Sequence, residues 1–237
     1  MRKFAVVAAL AVLGAAFAGA QERSVHAVGL TVPLWNQSLT VMDDDEYDIT
    51  ASAVGINLMY HHLKVSENHF SSFIDVEWGY TSVSIDEIEM NGYSFSAKDV
   101  MYGTELDGFN TRFMFGLGGA PLVNDFVTLA VHGTFGVNLL YAACEDSYKM
   151  LGVKVDASSA VLDLWTTVGV NVEAAFRFTG HFGVFAGVNM YTNLFGFGVY
   201  ANEVSVGSYT PIDTADFFLV YPGKFNVDFR VGVAFTY

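Results

Sequence analysis

Seven ionisable residues stand at alternate positions in runs whose other register is bulky and apolar: Asp75, Glu77, Arg112, Glu173, Arg177, Asp228 and Arg230. Gathered on one face of a membrane segment, such groups suit a proton relay or a pore, because ionisable residues there are functional by default. The plainer chemistry is a plug that neutralises itself. Four acids stand against three arginines. Glu77 and Arg112 fall on neighbouring predicted strands, and Asp228 and Arg230 share one, so pairing in a packed lumen is expected.

The histidines are candidates for metal binding and for catalysis. His26, His61, His62, His69 and His181 map towards one end of the predicted strands, while His132 points inward. Imidazole is a common metal ligand, but these spacings match no compact ligand motif, so no metal site is assigned. A serine nucleophile needs an adjacent base. Ser24 with His26 is the close pair on one face, and it lies at the end opposite the long predicted loops, which contain neither His nor Arg. No catalytic or cofactor-binding residue follows, and an enzyme is not expected. "DDDEYD", Asp43 to Asp48, clusters carboxylates that suit Ca²⁺. However, Tyr47 and Asp48 break the EF-hand spacing, and a solvated loop tip is the expectation.

The elements that must position these groups are legible in composition. Met1-Arg2-Lys3, an apolar run from Phe4 to Phe17 and Ala18-Gly19-Ala20 read as a secretory signal peptide over residues 1–20. The remaining chain, 21–237, is long enough for one domain. Without Arg2 and Lys3 it carries nine basic residues against 25 acidic ones, a balance of −16. That excludes nucleic acid as a partner. The lone Cys144 excludes an internal disulfide framework.

The chain is 52% hydrophobic, with 21 Phe and 12 Tyr, yet no later stretch approaches eighteen consecutive apolar residues. A closed barrel is the remaining way to hold that much apolar surface in lipid, since it pairs every backbone group and leaves no edge. Period-2 alternation recurs in eight segments. It runs Val28, Leu30, Val32, Leu34 in the first and Phe225, Val227, Phe229, Val231, Val233 in the last. The bulky register is expected to face lipid. The other register carries the seven charges and a glycine in every strand, among them Gly29, Gly116 and Gly232. Segments 36–48, 82–107, 142–160 and 193–223 are predicted as long extracellular loops, and the connections between them as short periplasmic turns. Aromatic girdles are expected at Tyr60, Phe70, Phe178, Phe182 and Tyr237 on one side, and at Trp35, Tyr80, Phe109 and Tyr141 on the other. Aromatics of the last long segment, Phe195 to Tyr221, leave open an extended hairpin or a ten-stranded barrel. The fold class is all-β: a closed antiparallel eight-stranded transmembrane up-and-down β-barrel.

The chain ends Arg230-Val231-Gly232-Val233-Ala234-Phe235-Thr236-Tyr237. This resembles the C-terminal assembly signal of bacterial outer-membrane barrels, with Arg230, Gly232, Phe235 and Tyr237 at its four defined positions. The architecture resembles the small eight-stranded outer-membrane barrels: OmpX, the OmpA transmembrane domain and the OmpW group. That resemblance implies a bacterial outer-membrane location, no appended domain, and outer-membrane lipid and the barrel-assembly machinery as partners. It also implies loops open to an extracellular ligand or host protein, in a non-enzymatic structural or surface-binding role. The OmpW likeness suggests a narrow conduit for small hydrophobic molecules instead. Trp165, Phe185, Met59 and Met114 would give it some apolar lining. A lipid-modifying enzyme is the third and weakest reading.

Overall fold

The computed structural model describes residues 22–41, 47–90, 92–97, 104–150, 153–206, 212–221 and 224–237. The predicted signal peptide and residues 43–46 of the acidic run lie outside them. Ten antiparallel strands account for nearly all of the described chain: β1 (Arg23–Val41), β2 (Tyr47–Val65), β3 (Phe70–Met90), β4 (Tyr93–Ser96), β5 (Glu105–Val123), β6 (Val127–Met150), β7 (Val153–Thr179), β8 (Phe182–Val206), β9 (Ile212–Tyr221) and β10 (Phe225–Thr236).

These ten strands make a ring of eight staves. Neighbours run β1, β2, β3, β5, β6, β7, β8, and β10 returns to β1, from Leu34↔Val227 to Val25↔Thr236. β9 continues the same stave above β10, pairing β8 on one side and Ser38–Val41 on the other. β4 is an arm on β3. The sequence expectation of eight strands therefore holds for the ring and not for the strand count. At the β1–β10 seam Gly29 faces Gly232. A Cβ on Gly29 would stand 2.0 Å from the Val231 carbonyl oxygen, so the two backbones approach as closely as they do because neither residue has a side chain.

The segments predicted as long loops are mostly strand. β7 is 27 residues long, whereas a tilted strand crosses a bilayer in about 9–11. Period 2 continues through these extensions, but its polarity reverses. On β2 the outward positions read Asp48, Thr50 and Ser52, then Val54, Ile56, Leu58 and Tyr60, then His62 and Lys64. Inward, the same strand reads Ile49, Ala51, Gly55, Asn57, Met59, His61, Leu63 and Val65. Thus on β2 an apolar belt crosses the middle of the wall, with polar outer surface above and below it, whereas on β8 and β9 the apolar outer surface continues upward through Phe195, Phe197 and Phe217. Where the outer surface turns polar, towards the end opposite the termini, the interior turns apolar. That upper core gathers Trp35, Leu39, Val41, Ile49, Val83, Ile85, Leu106, Leu140, Trp165 and Phe218.

Trp35 is a correction. Expected in the outer girdle, it is instead buried inside and packs on Trp165 at 5.6 Å between ring centroids. Tyr80, Phe109 and Tyr141 stay exposed on the belt's upper edge, and Tyr60, Phe70, Phe178, Phe182 and Tyr237 are exposed near its lower edge.

Candidate functional site

The inward face stacks in tiers between the termini and the upper end. The lowest is apolar, with Val25, Ala27, Leu63, Phe73, Ala130 and Phe185. Above it lies a charged tier, then a tier of amides including Asn57, Asn110, Asn138, Asn189 and Asn226, all buried. The apolar upper core follows.

Register builds the charged tier. Asp75 and Glu77 are alternate residues of β3, which places both inward, and Glu77 lies directly opposite Arg112 of β5. Asp228 and Arg230 alternate in the same way on β10, and Glu173 enters from β7. Arg112 bridges two strands that are not neighbours. Its Nη2 donates to both Glu77 oxygens, at 2.7 and 2.8 Å, and its Nη1 donates to Asp228. Asp228 also accepts from Asn189 Nδ2 and Tyr191 Oη, each at 3.2 Å. Arg230 donates to Asp75 and, at 3.0 Å, to Asn171 Oδ1. Its guanidinium carbon lies 5.4 Å from the Phe185 ring centroid and 5.6 Å from that of Phe73.

Two corrections concern membership. Arg177 does not enter this tier. It points towards the rim near the termini, where Nε donates to the Asp125 carbonyl at 2.7 Å. His61, expected near that rim, is instead fully buried in the tier. Its Nδ1 lies 2.6 Å from Asp75 Oδ1, and its Nε2 lies 3.4 Å from Glu173 Oε1. His61 faces Asp75 directly across β2 and β3, and its odd-numbered register with Gly55, Asn57 and Met59 was the signal for it. The tier holds four carboxylates and two guanidiniums, with the imidazoles of His61 and His132 beside the surplus acids.

His132 adds an arrangement the sequence did not bring together. Ser71 Oγ lies 2.8 Å from His132 Nε2, and His132 Nδ1 lies 3.8 Å from Glu173 Oε1. A serine, a base and an acid in line are the parts of a hydrolase. Here Ser71 has no exposed surface, and the 3.8 Å separation is too long for a hydrogen bond. The arrangement anchors Ser71 and His132 within the tier. Ser24 approaches His62 at 3.3 Å rather than His26, whose ring packs at a tilt against that of His62. His69 and His181 are tied by Nδ1 to the Ala120 and Thr236 carbonyls, both at 2.8 Å. No group of three or more potential ligands suited to a metal ion occurs among the described residues.

Of the four residues read as an assembly signal, Arg230 belongs to the charged tier and Gly232 to the seam. Phe235 packs on Phe182 at 4.4 Å between ring centroids, and exposed Tyr237 stacks on His181 at 5.7 Å. Far above the belt, the Lys154 ammonium and the Ser147 hydroxyl hold the exposed Asp156 carboxyl below the usual carboxylate range.

No protein-family description and no curated protein matches the chain. Solved structures do. A major outer membrane protein of Thermus thermophilus aligns over 90% of this chain and 99% of its own, at 12% identity and a TM-score of 0.51. The chain has the fold of an outer-membrane β-barrel protein. The Escherichia coli outer membrane protease OmpT aligns over 91% of this chain and 96% of its own, at 9% identity and a TM-score of 0.35, too low to carry an argument.

Breaking a buried pair by removing one partner typically costs about 3–5 kcal/mol, while replacing all partners by apolar groups is often neutral. Arg112→Met, which strands Glu77 and Asp228 together, is expected to lower unfolding stability by about that much. Because Arg112 serves two acids, Glu77→Leu alone restores only part of the loss, and Asp228→Asn added to it restores most of the rest. Urea unfolding of the single, double and triple variants reads this directly.

Proposed function

We propose that the protein is a bacterial outer-membrane barrel of the small eight-stave class, acting as a sealed structural or surface-binding column and not as an enzyme. The observation that carries this reading is the charged tier, where buried, hydrogen-bonded side chains from β2, β3, β5, β6, β7 and β10 meet across the lumen. An eight-stranded ring leaves an interior only wide enough for side chains to fill, and here they fill it with paired charge. The belt supports membrane placement. Ile56, Leu58, Trp78, Phe109, Val168 and Val231 are among its exposed apolar residues, and surface of this kind is stable facing lipid.

In this orientation both termini are periplasmic. The strand ends that flank positions 42–46, 91–104, 151–152 and 207–211 stand above the belt and face the surroundings. That end is where an extracellular ligand or a host protein would bind. Arg230, Gly232, Phe235 and Tyr237 would present the last strand to the barrel-assembly machinery. Phe235→Ser is then expected to leave export intact while membrane-inserted, heat-modifiable protein falls sharply in cells.

A second reading, a narrow conduit for small hydrophobic molecules, is favoured by the apolar upper core. The charged tier below it opposes passage, because an apolar solute would have to displace paired ions.

Two measurements test the proposal. Arg at a lipid-facing midplane site costs about 2–4 kcal/mol. Ile56→Arg should therefore impair refolding into bilayers by about that amount, while Thr50→Arg, outward on the same strand but above the belt and paired with Glu87, should change it little. Equal effects would contradict membrane placement. Wild-type protein in a planar bilayer should carry no steady current, and a steady single-channel current would promote the conduit reading.

A further inference from the structure

The upper core is not completely filled. A cavity of about 40 Å³ remains, lined mainly by apolar side chains that include Trp35, Leu39, Leu140 and Tyr200. Two polar side chains also line it: Gln37 from β1 and, from across the barrel, Asp163 of β7. Both are buried, each with only 1% of its surface exposed. Burial pushes the Asp163 carboxyl up to about 7. The Gln37 amide and the Leu164 backbone N–H approach it and favour its charged form, but neither comes into close hydrogen-bond geometry with its oxygens. Nε2 of Gln37 and the indole nitrogen of Trp35 are also without hydrogen-bond partners. Among the described residues, no Arg, Lys or His lines the cavity. The carboxylates of the charged tier have cations or close hydrogen bonds, whereas Asp163, in an apolar chamber, has among the described residues no cation and only the weaker approach of Gln37 and Leu164.

A buried carboxylate without a cation or close hydrogen bonds is costly, and such a group is ordinarily paired, neutralised or bound to a cation. The missing partner must match its surroundings. Hard metal ions take six or more oxygen ligands, and this wall is apolar apart from one carboxylate and one amide. An organic ammonium fits better. Its N–H donors suit Asp163 and the Gln37 amide oxygen, its charge suits the indole face of Trp35, and its carbon chain suits Leu39, Leu140 and Tyr200. Size sets the length. A single water needs about 10–15 Å³ measured in this way and takes about 30 Å³ of liquid. The cavity thus has room for roughly three waters, the space of an alkylamine with about three to five heavy atoms.

We propose that this chamber is a binding site for a small primary alkylammonium ion, its head on Asp163 and its chain in the apolar core. The inference rests on the cavity and its carboxylate without a cation, and holds whichever way the barrel is placed in a membrane.

The test uses the full chain refolded in detergent micelles. Trp35 and Trp165 lie in this core, whereas Trp78 is exposed on the belt, so a Trp78→Phe background makes tryptophan fluorescence report on the chamber. n-Butylamine is protonated at pH 7, as lysine is, and 1-butanol is its neutral counterpart. The expected result is saturable fluorescence change with n-butylamine at a concentration at least tenfold below that for 1-butanol. Asp163→Asn should bring the two within about twofold. Leu140→Ala keeps the carboxylate and enlarges the chamber, and should shift the preference from n-butylamine to n-hexylamine. This second variant decides the question if Asp163→Asn does not refold. No saturable response, equal responses to amine and alcohol in the wild-type chamber, an undiminished amine preference in Asp163→Asn, or no chain-length shift in Leu140→Ala would each overturn the proposal. Equal responses would mean a chamber whose carboxyl is neutralised by a proton and not by a cation.

Discussion

The constraint on which the rest of the structure depends is that a ring of eight strands has no room for bulk water. Inward polar groups must then find their partners chiefly among other side chains, and the Asp163 carboxyl is among the exceptions. In the charged tier this requirement reaches across the ring. Arg112 of β5 bonds Glu77 beside it and Asp228 of β10, and Arg230 of β10 bonds Asp75 of β3. The Arg112–Asp228 and Arg230–Asp75 bonds connect staves that share no backbone ladder, so the charges brace the cross-section as well as fill it. A buried ion pair does not thereby become a large net source of stability, since desolvation offsets most of the attraction. The loss of one member is nonetheless expensive, and that fixes which residues belong together.

The same constraint accounts for the reversal of polarity along the strands. A barrel wall has an inside and an outside, and only one of them changes solvent between the belt and the upper end. Outside, the wall passes from lipid-compatible side chains such as Ile56 and Trp78 to Ser52, Ser82 and Asp48. Inside, it passes from Asn57, Glu77 and Arg112 to Trp35, Ile49, Leu106 and Leu140. In the upper half the wall at β2 resembles a small soluble β-protein, apolar within and polar without, while β8 and β9 keep Phe197 and Phe217 exposed. In the belt it is the inverse.

That reversal explains what could be read in the sequence and what could not. Within the belt, bulky alternation such as Val28, Leu30, Val32 and Leu34 reveals the facing directly, because apolar surface and strand period coincide there. Above it, acidic and small residues such as Asp48, Ser84 and Asp156 occupy outward positions and mimic loop composition, so strands extending past 36, 82, 142 and 193 read as loops. Trp35 reads as a girdle residue because it follows Leu34 at the belt's edge, although its odd register with Thr31 and Pro33 places it inward. The charged tier is legible in six of its residues by parity. Arg177 shares the parity of Glu173 but lies at the rim, too near the strand end to reach the others. His61 and Asp163 escape notice because both stand close to the ends of predicted strands, which outweighs their register.

The central claim is that the lumen is sealed by its own side chains, and water access to a single buried position tests it most directly. Thr31 is fully buried at mid-height of β1, whereas Ser52 lies on the outer surface of β2. In a Cys144→Ser background, Thr31→Cys and Ser52→Cys can each be treated with a small charged methanethiosulfonate reagent. A sealed lumen predicts that folded Thr31→Cys stays unmodified over hours and reacts once unfolded, while Ser52→Cys reacts in the folded barrel. Modification of folded Thr31→Cys at a rate near that of Ser52→Cys would contradict the account.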